Sequence, residues 1–67
     1  MKAELVEDIH TLEKTIVKSD NIRAINEWGK VSALYVGTSE HKYWEALDEP
    51  LILEAIEEAH NIIVKYL

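Results

Sequence analysis

A chain of 67 residues with no cysteine has room for one domain, residues 1–67, and no disulfide to staple it. Its net charge of −6 excludes the basic footprint of a nucleic-acid binder, and its 48% apolar content excludes the disordered class. A domain this short is marginal alone, so stability must come from unusually good helix packing, a metal or association with further chains.

The first predicted element is a helix over residues 3–18. Leu5, Ile9, Leu12 and Ile16 recur at spacings of 4, 3 and 4, one stripe of a helix, with Val6 and Val17 beside it. Glu4, Glu7 and Asp8 come early and Lys14 and Lys18 late, the order the helix dipole favours. The stripe ending at Ile16 would fall out of phase with Ile22 and Ile25, so a break is expected around Lys18–Asn21, with Ser19 or Asp20 capping a second helix. A connection this short makes the first two helices antiparallel neighbours.

The second element is read as a helix over 21–36. It places Ile22, Ile25, Trp28, Gly29, Ser32, Tyr35 and Val36 on one face, opposite Arg23, Asn26, Glu27 and Lys30. Leu34 alone points away. Gly37 comes next, a residue able to take positive φ. Gly29 in mid-helix costs about 1 kcal/mol against alanine, and close approach of another helix would account for it. The alternative ends the helix at Gly29 and makes 30–36 a strand paired between subunits, because a lone strand would leave its backbone groups unbonded.

Thr38-Ser39 caps a short third helix, 40–47, with Tyr43, Trp44 and Leu47 on its apolar side. Pro50 requires a bend near Asp48, which then caps a last helix over 49–67. There, Ile52, Ile56, Ala59, Ile63 and Tyr66 form a central stripe, widened by Leu51, Ala55 and Ile62 on one side and by Leu53, His60, Val64 and Leu67 on the other. The apolar arc spans roughly 220°, against about 100° for an ordinary surface helix. The expected fold is therefore all-α, a three- to four-helix bundle, with the last helix serving a second interface in a two-fold dimer. The self-association residues are Ile52, Ile56, Ala59, Ile63, Tyr66 and Gly29.

Acidic charge is concentrated late. Residues 1–37 hold five basic and six acidic groups, whereas residues 38–67 hold two and seven. Three of the five aromatics, Tyr35, Tyr43 and Trp44, lie close together in sequence, and Trp and Tyr are the side chains that anchor interfaces. Two readings compete: these rings fill the core of a chain without Phe, or they form a binding surface with Glu40, Glu45, Glu54, Glu57 and Glu58. The second reading describes a non-enzymatic regulator or inhibitor of a protein partner, with charge favouring a basic one, and no direct nucleic-acid or membrane contact. Purely structural assembly is the first alternative.

Chemistry is poorly represented. Glu7–His10 and Glu57–His60 have the Glu-x-x-His spacing of ferritin-like di-iron bundles, and Glu27 with Glu40 or Glu45 would complete such a set. Glu7 and Glu57 lie on the polar sides of their helices, which disfavours an internal metal, so neither a metal nor another cofactor is assigned. Ser19, Ser32 and Ser39 lack a nucleophile context, and two glycines make no phosphate loop. No apolar run is long enough to cross a bilayer and the first residues resemble no signal peptide, so a soluble cytoplasmic protein is expected.

Overall fold

Among the described residues three α-helices succeed one another: α1, Lys2–Lys18; α2, Ile22–Val36; and α3, Glu49–Tyr66. A single 3₁₀ turn, Trp44–Ala46, precedes α3. The computed structural model describes residues 1–37 and 43–67, and no strand occurs among them. The radius of gyration is 11.0 Å, close to the ~11 Å that a compact chain of this length scales to.

The helix expected over 40–47 is not found where it can be seen. Its Thr38-Ser39 cap and residues 40–42 lie outside the described residues, and the remainder holds only the 3₁₀ turn. The reason lies at its end. Leu47 and Asp48 are both extended, with ψ of 154° and 151°, so the backbone leaves the helical region three residues after Trp44. Among the described residues the bundle therefore has three helices rather than four. The strand alternative over 30–36 is also overturned, since that segment completes α2.

The connection from α1 to α2 is tight. Ser19 Oγ bonds back to the Ile16 carbonyl and accepts from the Asn21 amide, so it closes α1 rather than opening α2. Asp20 takes φ 59°, the left-handed region that Asp tolerates better than most residues. Asn21 is then the cap of α2, its Oδ1 accepting from the Ala24 amide at 3.0 Å. At the far end Gly37 takes φ 78° and donates to the Ala33 carbonyl, ending α2 as expected. Asp48 begins α3 through its backbone, its carbonyl accepting from Leu51 and Ile52, while its side chain forms no cap bond.

Both α1 and α2 pack chiefly on α3 and only slightly on each other. Asn21 Nδ2 donates to the Tyr66 carbonyl at 3.2 Å, tying the start of α2 to the end of α3. Those two helices are thus antiparallel, and α1 runs parallel to α3. The core contains Val6, Ile9 and Ile16 of α1, Ala24 and Trp28 of α2, Trp44, and Ile52, Ala55, Ala59 and Ile62 of α3.

The buried face of α2 is rotated from the expected one. Ala24, Trp28 and Ser32 are buried, whereas Ile22 is 72% exposed and Gly29 is exposed. No neighbour among the described residues lies within 4 Å of a Cβ placed on Gly29, so no described helix approaches it closely. Gly29→Ala should therefore raise stability by about 1 kcal/mol, the helix-propensity difference alone, as read from chemical denaturation of dilute protein. Destabilisation would show that something packs against Gly29 after all.

Candidate interaction surface

The side chains that α3 turns inward are not those at the centre of its apolar arc. Ile52, Ala55, Ala59 and Ile62 are buried, and Tyr66 continues their line half-buried. Ile56 and Ile63, expected at the centre of the stripe, are half-buried at its margin. At 100° per residue, the buried line is rotated by about 50° toward Ala55 and Ile62. Alanines at 55 and 59 explain the rotation, because two small side chains let α1 and α2 pack closely on that line. Ile52 and Ala59, each 0% exposed, are consumed by the subunit's own core and cannot reach a second copy.

This rotation leaves the other flank uncovered. Leu53 is 52% exposed, Val64 84% and Leu67 54%, with His60 exposed among them. Together with Ile56 and Ile63 they form a continuous apolar strip along α3, bordered by Glu57. Monomeric proteins seldom leave such a strip in water. No helix of the described residues is long and apolar enough to cross a membrane.

The aromatic group is drawn together, but inside. Trp28 and Trp44 stack with ring centroids 6.0 Å apart at 22°, and Tyr35 tilts against Trp44 at 6.3 Å. Trp44 is 0% exposed, so it fills the core and presents no surface to a partner. The Trp28 indole donates to Glu13 Oε2 at 3.2 Å, joining α2 to α1. The Trp44 Nε1 is buried with no hydrogen-bond partner among the described residues. Of the three aromatics nominated for contact, Tyr43 alone is largely exposed, at 65%. Tyr35 is half-buried, and its phenol is held above the ordinary tyrosine range by burial first and by Glu54, Glu58 and Glu57 next.

The nominated acids Glu45, Glu54, Glu57 and Glu58 are exposed, and Glu40 lies outside the described residues. The charges are polarised along the bundle. The end formed by the close of α1, the start of α2 and the close of α3 carries Lys14, Lys18, Arg23 and Lys65 against Glu13, Asp20 and Glu27, a slight basic excess. There Glu27 Oε1 accepts from Lys65 Nζ at 3.3 Å and from the Tyr66 hydroxyl at 3.2 Å. The Lys65 ammonium is raised above the ordinary lysine range, by its hydrogen bond to Tyr66 first and to Glu27 next. The opposite end brings the start of α1 to the 3₁₀ turn, where Lys2, Ala3, Val6 and Glu45 line a shallow open pocket. It carries Glu45, Asp48 and Glu49, with the three acids of early α3 beyond them.

Glu7, His10, Glu57 and His60 are all exposed, so the two Glu-x-x-His pairs point away from a bundle interior. Among the described residues no three His, Cys, Asp or Glu side chains converge as a metal site would require. A stripe centred on Ile52–Tyr66 passes over the uncovered strip, although the spacing of Leu53, Ile56, His60, Ile63 and Leu67 is itself legible in the sequence. No protein-family model matches the chain, and neither a curated protein nor a solved structure matches it.

Proposed function

We propose that the chain is a small, non-enzymatic protein-binding module that acts by contact and also self-associates. The observation that carries this is the exposed apolar strip of α3 beside an acidic end. Tyr43 and the carboxylates of Glu45, Glu54, Glu57 and Glu58 form the contact surface for a basic protein partner. Trp44 is withdrawn from that surface to the core. Charge of one sign gathered at one end of a domain steers a partner of opposite charge and speeds encounter.

The test replaces three exposed acids together, Glu45→Lys, Glu57→Lys and Glu58→Lys, and confirms helicity by circular dichroism. Wild-type protein immobilised from its native host should retain a basic protein at low salt and release it as ionic strength rises. The triple variant should not retain it. Capture that survives both high salt and charge reversal would remove charge from the explanation. The alternative, a structural subunit with no partner other than its own copies, is favoured by the same apolar strip. It predicts that nothing basic is retained at any ionic strength.

A further inference from the structure

Leu53, Ile56, His60, Ile63 and Leu67 succeed one another at spacings of three, four, three and four. This is the heptad pattern along which two helices interlock side chains. Leu53, Ile56, His60 and Ile63 lie on the outer flank of α3 and Leu67 caps its end, with Leu53, His60 and Leu67 exposed and the two isoleucines half-buried. The helix thus has two seams. Ile52, Ala55, Ala59 and Ile62 are used within the subunit, whereas the heptad meets the core only along its inner edge, at Ile56 and Ile63, and leaves Leu53, His60 and Leu67 exposed.

The pattern is nearly symmetric about His60. Leucine stands seven residues away on either side, and isoleucine stands four residues before and three after. A second copy of the seam, turned end for end, sets Leu53 against Leu67 and His60 near its own counterpart. Charge selects that orientation over the parallel one. Parallel pairing would bring Glu57 against Glu57 and align the helix dipoles. Antiparallel pairing lays the acidic start of one α3 beside the other's closing end, where the helix dipole is negative but Lys14, Lys18, Arg23 and Lys65 outnumber Glu13, Asp20 and Glu27, so that the acids meet a slight basic excess instead of one another. We infer that two copies of this chain pair through the outer seam of α3, the helices antiparallel and the two-fold axis passing close to His60. The inference rests on the self-association half of the proposed function. His60 is the polar member of an otherwise apolar seam, the kind of residue that fixes register at a cost in affinity.

The chain has no cysteine, so single cysteines report the geometry without interference. A disulfide forms only where the two Cα atoms come within about 7 Å. Under mild oxidation His60→Cys should give a covalent dimer. Leu53→Cys and Leu67→Cys should each remain unlinked alone and should link to one another when mixed. Leu53→Cys and Leu67→Cys each linking to itself would show a parallel pair and overturn the inference while leaving self-association standing. A dimer in which none of these positions links would overturn it too, by placing the interface elsewhere. Sedimentation of the unmodified chain separates the two levels: a monomer at high micromolar concentration would remove both self-association and this arrangement. Leu53→Lys combined with Val64→Lys should yield a helical monomer, since both positions are exposed within the subunit. Persistence of the dimer in that variant would likewise overturn the seam.

Discussion

Trp44→Ala should destabilise the domain by about 3–5 kcal/mol. A domain of this length has a stability on the order of 3–10 kcal/mol, so much of the population should unfold. The indole is 0% exposed, stacks on Trp28 and meets a tilted Tyr35, and no other described residue between Gly37 and α3 is buried. Removing it leaves a cavity beside Trp28 and Tyr35. Trp44→Phe should cost far less, because it keeps an aromatic partner for Trp28 and deletes an N–H that is buried without a bond. Urea unfolding monitored by circular dichroism measures both. A Trp44→Ala variant as stable as the parent would mean that the indole lies at the surface after all. Equal losses from Phe and Ala would mean that Nε1 is bonded and needed.

The second large effect concerns the rotation of α3. Ile62→Ala should cost about 2–5 kcal/mol, since Ile62 is 2% exposed in the line facing the other helices. Val64→Ala, two residues on and 84% exposed, should stay within about 0.5 kcal/mol in dilute protein. Ile63→Ala should fall between them. Denaturation of the three variants at a concentration below association reads the face directly. A larger loss at Ile63 than at Ile62 would restore the stripe centred on Ile52, Ile56 and Ile63, and with it a different outer surface.

Helix periodicity is legible in the sequence wherever one face is plainly apolar. The stripe of Leu5, Ile9, Leu12 and Ile16 places α1 without a structure, and Gly37 marks the end of α2 by the backbone conformation it permits. The faces of α2 and α3 are harder because apolar residues there exceed what one interface buries. Counting them finds the middle of the arc, whereas packing obeys the small residues Ala24, Ser32, Ala55 and Ala59, which let helices come close. Trp44 shows the other limit. A tryptophan near a turn reads equally well as core or as contact, and tertiary placement alone decides between them. The cap of α2 falls on Asn21 rather than Ser19 or Asp20 because Asp20 adopts a left-handed conformation, which no local preference requires. The acids need little interpretation, since most carboxylates remain in water whatever the fold.

The packing of α1 and α2 on α3 rather than on each other also bears on synthesis. The last of the three helices to leave the ribosome is the one that completes the core. Until it emerges, the antiparallel pair that precedes it has few contacts to hold it, and Ile9, Ile16, Trp28 and Trp44 stay accessible to water and to chaperones. Folding should therefore wait until Tyr66 has cleared the exit tunnel rather than proceed helix by helix. Premature termination anywhere within α3 should yield a protease-sensitive chain instead of a shortened domain.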